Sequence, residues 1–250
     1  MDGSLVILCG TALSVAAIHT LLGPDHYVPF VAMSKAGGWS LRRTMVVTLI
    51  CGLGHVLSSV VIGVIGIACG AAVWRLETIE SLRGDLAGSL FLGFGLAYLV
   101  WGIRRGVRNR PHTHWHHHQD GTVHSHVHVH SGAHVHVHDG AGSRVSEIHR
   151  PSNLTPWVLF VIFFFGPCEP LIPLVFYPAA HGAWWHVAIV SAVFGVGTLV
   201  TMTVVVILGT VGLNRAGAAW RSSFRRWSRF DHALAGAVVF LCGAVMKMGH

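Results

Sequence analysis

Six residues of this sequence offer the chemistry of a metal site in surroundings that are otherwise apolar. His19, Asp25 and His26 flank a Gly23-Pro24 step, His55 lies inside a long hydrophobic run, and Cys168 and Glu169 follow Gly166-Pro167 with Pro170 behind them. Imidazole and carboxylate suit borderline divalent ions such as Ni²⁺, Co²⁺ and Zn²⁺, and one thiolate adds softness without committing the set to copper. A charge at membrane depth costs at least about 2.5–3.5 kcal/mol on insertion scales, so an acid there needs a counter-ion. Asp25 and Glu169 read as the only acids outside loops and span ends, and no Arg or Lys is expected inside a span. The prolines remove backbone donors and free carbonyls that can line a cavity, so Gly23, Pro24, Gly166, Pro167 and Pro170 are assigned to shaping two helix breaks. Plainer readings stand beside this one. Asp25 and His26 could be a mutually satisfied pair, His55 a packed and hydrogen-bonded histidine, and Cys168 a small buried hydrophobe. His181, His186, His232 and His250 read as surface residues.

A second concentration of donors lies in one loop. Of the twenty histidines, twelve fall between positions 112 and 138: His112, His114, His116, His117, His118, His124, His126, His128, His130, His134, His136 and His138. From 124 onward they alternate with Val127, Val129, Val135 and Val137 around Ser131-Gly132-Ala133. This predicts a β-hairpin pairing 130 with 134, 128 with 136 and 126 with 138, its histidines on one face. Such a ribbon would be an accessory cytoplasmic metal-binding loop, a buffer or sensor and not the selective site; the alternative is a solvated low-complexity linker.

The elements that must position these groups follow from composition. The chain has 250 residues, is 52% hydrophobic and only 11% charged, against roughly 25% charged in soluble domains. An ordinary soluble enzyme is excluded, and an all-α polytopic membrane protein is expected. Six spans are predicted: Leu5 to Met33 with a break at 23–26, Met45 to Ala68, Leu86 to Trp101, Trp157 to Phe176 with a break at 166–170, Ala188 to Leu208, and Leu234 to Met248. Asp2 is the only charge ahead of the first span, so that span is read as retained and not as a signal peptide. The first, third and fifth loops hold fourteen Lys and Arg, and the second and fourth only Arg75 and Arg83. The positive-inside rule then places both termini outside and the histidine loop in the cytoplasm of a cell inner membrane. This distribution accounts for the net charge of +7 without a nucleic-acid partner. Trp220, Phe224 and Trp227 beside Arg221, Arg225 and Arg229 predict an in-plane interfacial helix. Five cysteines, with no C-x-x-C, indicate no disulfide framework.

The sequence also repeats. A shift of 143 lays Gly23-Pro24 on Gly166-Pro167, Gly52-x-Gly54 on Gly195-x-Gly197 and Gly66 on Gly209; a shift of 148 lays Gly88 and Gly95 on Gly236 and Gly243. The repeated glycines read as close-packing positions. Three spans per half insert in opposite senses, which predicts a 3+3 inverted repeat with the two breaks facing each other. The expected organisation is a first three-helix repeat over 1–103, the histidine loop over 104–153 and a second repeat over 154–250.

His19-Thr20-Leu21-Leu22-Gly23-Pro24-Asp25-His26 resembles the His-x3-Gly-x-Asp-His signature of the HupE/UreJ nickel permeases. It is similar to the His-x4-Asp-His signature of the NiCoT nickel/cobalt transporters with one residue inserted. Gly166-Pro167-Cys168-Glu169-Pro170 is similar to the second signature of UreH-like proteins, which share a LysE-type 3+3 plan. The resemblance implies transport of a divalent metal, Ni²⁺ or Co²⁺ first and Zn²⁺ next, with His19, Asp25 and His26 as ligands and Cys168 and Glu169 alongside. It implies no enzymatic activity and no organic cofactor; the partners are the metal ion, the lipid bilayer, and a homo-oligomeric copy or a metallochaperone. Two other readings remain at this stage: a metal-sensing accessory protein without flux, and a CcdA-like thiol relay using Cys168. No ATP-binding P-loop is present, so coupling would be to protons or potential, through a separate subunit, or absent.

Overall fold

A computed structural model describes residues 3–108, 112–117, 123–128, 154–219 and 228–249. The described chain is helical apart from one two-stranded ribbon: α1 Gly3–Leu22, α2 Val28–Gly37, α3 Leu41–Ala68, α4 Val73–Arg108, β1 His112–His117, β2 Val123–His128, α5 Leu154–Phe165, α6 Leu171–Ala180, α7 Trp184–Ala219 and α8 Asp231–Gly249. Five of these helices are long and apolar enough to cross a membrane, and α5 and α6 are shorter apolar helices. Large apolar side chains face outward along them, among them Ile7, Leu22, Leu208 and Leu241. Such surface needs a non-aqueous solvent, consistent with a polytopic membrane protein.

The two breaks form where Gly-Pro predicts them. α1 stops at Leu22 because Pro24 has no N–H to continue the ladder; Pro24–His26 make a 3-10 turn, and α2 restarts with Pro29 in its first turn. α5 likewise stops at Phe165, and α6 begins only after Pro170. Adding 143 to the last residue of α1, both ends of α2 and the first residue of α3 (22, 28, 37, 41) gives the corresponding ends of α5, α6 and α7 (165, 171, 180, 184). Left-handed glycines close α2 at Gly38 and the turns after α3 and α6 at Gly70 and Gly182. Ser40 caps α3 by accepting from the Arg43 N–H at 3.3 Å.

α4 and α8 pack along most of their length, and the repeated glycines make this possible. A β-carbon at Gly95 would fall on the backbone of Phe240, one at Gly236 on Leu99, and one at Gly243 on Leu92. Lys247 Nζ donates to Asp85 Oδ1 at 2.8 Å near one end of the pair, and Tyr98 Oη is bonded to His232 Nδ1 at 2.8 Å further along. Gly95→Ala is therefore expected to force the helices apart and cost about 1–3 kcal/mol, as overpacking does. Denaturant titration in detergent micelles measures it, with Gly93→Ala, where a β-carbon meets open space, as the reference.

One expectation is corrected. α4 begins at Val73, not near Leu86, so Glu80 and Arg83 lie inside a helix and are buried, at 0% and 9% exposure. Asp25 and Glu169 are thus not the only acids, nor is arginine absent, within a span. The physical reason is that Glu80 and Arg83, spaced i,i+3, neutralise one another. Among the described residues, β1 pairs with β2, His112 standing opposite His128, His114 opposite His126 and His116 opposite His124, while the expected partner strand 134–138 lies outside the described residues. The alternation of Thr113 and Trp115, both strand formers, extends the pattern back to 112 and supplies the partner strand. His118, His130, His134, His136 and His138, the interfacial segment around Trp220, Phe224 and Trp227, and His250 lie outside the described residues.

Candidate metal centre

Each break delivers polar groups into the seam between two apolar clusters. One cluster contains Phe30, Phe163 and Met202; the other contains Ala16, Cys168 and Phe194. His19 enters from the last turn of α1, His26 from the 3-10 turn, His55 from the middle of α3 and Cys168 from the gap between α5 and α6. One ring nitrogen of His19, one of His55 and Sγ of Cys168 lie within 4.8 Å of one another. The His26 ring stands edge-on between the other two imidazoles, its centroid 4.8 Å from His19 and 5.2 Å from His55. His26 and His55 are buried at 4% and 3%, and Cys168 fully.

The tautomers follow from the neighbours. His26 Nδ1 faces the Gly23 carbonyl at 3.2 Å and Asp25 Oδ2 at 3.2 Å, two acceptors, so Nδ1 carries the proton. His55 Nδ1 faces the Phe163 carbonyl at 3.3 Å and is a donor on the same ground. The Nε2 atoms of His19, His26 and His55 are all buried without a hydrogen-bond partner among the described residues. Imidazole nitrogens and a thiol so placed form a donor set whose chemistry suits a borderline metal ion. In a tetrahedral Zn-type site, bonds of about 2.0–2.3 Å put donor atoms about 3.3–3.6 Å apart. The set needs to contract by roughly 1 Å to reach that geometry.

The glycine of each break is required by a histidine of the set. A β-carbon on Gly23 would lie 2.5 Å from His26 Nδ1, and one on Gly166 would lie 3.0 Å from His55 Nδ1 and 3.1 Å from the Phe163 carbonyl. Gly166→Ala is expected to push His55 off its carbonyl and weaken Co²⁺ binding about 10–100-fold, the usual cost of losing a ligand's outer-shell partner. Spectrophotometric Co²⁺ titration of the purified protein reads this out.

Of the six residues singled out from sequence, four converge: His19, His26, His55 and Cys168. Asp25 sits behind His26, engaged with Nδ1 and not in the tight set. Glu169 is half-buried next to Cys168 and is also outside the tight set. His181 is exposed, with Nδ1 2.9 Å from the Tyr177 carbonyl, and His186 is half-buried. All five cysteines are free, and the donor set holds one thiol, that of Cys168.

Sequence reasoning missed Glu80 and Arg83. Glu80 Oε2 accepts from the Cys168 N–H at 2.8 Å and from Ser59 Oγ at 3.1 Å. Arg83 pairs with Glu80 Oε1 and donates to Ser59 Oγ at 2.9 Å, Ser58 Oγ at 2.6 Å and the Phe164 carbonyl at 2.8 Å. With its guanidinium so engaged, Arg83 does not supply the vacant cation that an anion site requires. The i,i+3 spacing of Glu80 and Arg83 was the only signal available in the sequence. No family model matches the chain, and neither a curated protein nor a solved structure matches it.

Proposed function

We propose that this chain is a transporter of a divalent transition metal, Ni²⁺ or Co²⁺ first and Zn²⁺ next, with its binding site in the seam between the two helix breaks. One observation carries the reading: ring nitrogens of His19 and His55 and the Cys168 thiol lie within 4.8 Å of one another, with the His26 ring against both imidazoles, where a membrane would otherwise make polar groups costly. His19, His55 and Cys168 hold the ion with His26 joining as the set contracts. Asp25 orients His26, and Glu169 lies at the approach. The ion is cargo, exchanged from one side of the membrane to the other, and the same residues serve import and efflux.

The architecture proposed for this task has six spans, α5 and α6 together making the fourth, as a 3+3 inverted repeat. The coincidence of helix ends under one shift supports it, as does the placing of a glycine against a site histidine in both breaks. With Arg83 inside α4, the charge bias becomes fourteen to one and favours termini outside and the histidine loop in the cytoplasm of the inner membrane. There the loop acts as an accessory that raises the local ion concentration at the pore mouth, and a metallochaperone or second copy would dock on this side.

Flux of Ni²⁺, Co²⁺ and Zn²⁺ into proteoliposomes holding the purified chain tests the proposal. Saturable uptake above protein-free vesicles is expected for at least one ion. Deleting residues 112–138 should shift the concentration dependence while flux persists. No uptake of any of the three ions would sink the reading, and flux that vanishes with the loop would move function from the helix breaks to the loop.

A further inference from the structure

We propose that Glu80 and Arg83 are positioning residues of the metal centre: a buried ion pair on α4 that clamps the α5–α6 break and so sets where the Cys168 thiol stands. The inference rests on the metal-site reading above and deepens it.

The contacts of the pair are specific to the break. A helix end leaves carbonyls without donors and a helix start leaves N–H groups without acceptors. At this break, the Phe163 carbonyl is taken by His55 and by the Gly166 N–H, the Phe164 carbonyl by Arg83, and the Cys168 N–H by Glu80. With the Cys168 amide fixed, only one side-chain torsion separates the clamp from the placement of Sγ. The other arm of the pair reaches α3. Ser58 and Ser59, which accept from Arg83, lie one turn beyond His55, and Ser58 Oγ also donates to the His55 carbonyl at 2.9 Å. Two members of the tight donor set, His55 and Cys168, are therefore tied to one ion pair through short hydrogen bonds.

Burial sharpens the point. A buried ion pair is often no more stable than an apolar pair of the same volume, so its presence alone is weak evidence of a stability role. Its value here is geometric: donor sets must be held to within about 0.5 Å by groups whose own positions are fixed. α8, the helix that covers α4, sends Lys247 to Asp85 and not to Glu80.

The test uses Co²⁺ and the full chain in detergent micelles, reading the near-ultraviolet thiolate-to-cobalt charge-transfer band, with Cys168→Ser as the zero. Ions on the histidine loop give no such band. Glu80→Leu/Arg83→Met, which leaves no orphaned charge, is expected to lower the band at least about fivefold at the Co²⁺ concentration that half-saturates the wild type, as an affinity loss of about 10–100-fold does. Glu80→Gln, which keeps an acceptor for the Cys168 N–H, should retain most of it. A full-strength band in the double variant overturns the clamp while leaving the metal centre standing. A wild-type band that Cys168→Ser does not remove overturns both. Should the double variant fail to fold, Arg83→Lys decides: it keeps the buried charge pair, but one ammonium cannot hold the Phe164 carbonyl and both serines as the guanidinium does, and an unchanged band there also overturns the clamp.

Discussion

His55→Ala is expected to abolish transition-metal flux in proteoliposomes, and His19→Ala to do the same. Each supplies one of three donors lying within 4.8 Å of one another, and His26, already a member of the proposed set, cannot fill its own place and a lost one together. Losing an outer-shell partner costs about 10–100-fold in metal affinity, so losing a ligand should exceed about 100-fold. At micromolar metal, that reduces occupancy to background. Asp25→Asn belongs to the milder class, about 10–100-fold, because Asp25 acts through His26 Nδ1 and an amide oxygen can still accept there. His181→Ala, exposed at the end of α6, is the control and should leave flux unchanged. The ordering His55 and His19 above Asp25 above His181 separates an intramembrane donor set from a loop-based one. If Asp25→Asn proved as severe as His55→Ala, Asp25 would itself be a ligand, and the set would close differently around the ion.

Parts of this site were legible in the sequence for reasons that can be stated. A Gly-Pro step in an apolar run breaks a helix whatever packs around it, so both breaks were predictable from local chemistry alone. His19, His26 and His55 stood out because an imidazole at membrane depth is uncommon without a partner or a task. The apolar neighbourhood of Cys168 made its burial predictable, but its closeness to His19 and His55 depends on how α5 and α6 fold back against α3, a tertiary fact with no local trace. Asp25 stood out by its place beside His26, and its contact with His26 Nδ1 at 3.2 Å follows from the 3-10 turn that joins them. Arg75, Glu77, Glu80, Arg83 and Asp85 within eleven residues read as a solvated loop by charge density. They are the first turns of α4, because Glu80 and Arg83 find each other, and Ser58 and Ser59 more than twenty residues earlier complete the network. Hydropathy averages cannot register a charge that its partner cancels. The pairing of β1 with β2 was not legible for a related reason: strict period-two alternation is compatible with several registers, and nothing in a run of identical residues selects among them.

The same cancellation predicts a second large effect, this time on folding. Replacing Arg83 by methionine leaves Glu80, 0% exposed, as an unpaired buried charge, and breaking a buried pair from one side costs about 3–5 kcal/mol. Arg83→Met and Glu80→Leu should each therefore lose a large part of the chain's stability, visible as a fall in monodisperse yield and in the denaturant midpoint in micelles. Glu80→Leu/Arg83→Met removes both charges at once. Its remaining cost is the orphaned Cys168 N–H and the Phe164 carbonyl, about 1–3 kcal/mol for a buried backbone group. The double variant should consequently be more stable than either single one, the opposite of additivity. If the two single costs instead summed in the double variant, the pair would be acting as two independent groups with their own access to water. The seam around Cys168 would then be wet, and water, not a metal, would be the partner of its imidazoles.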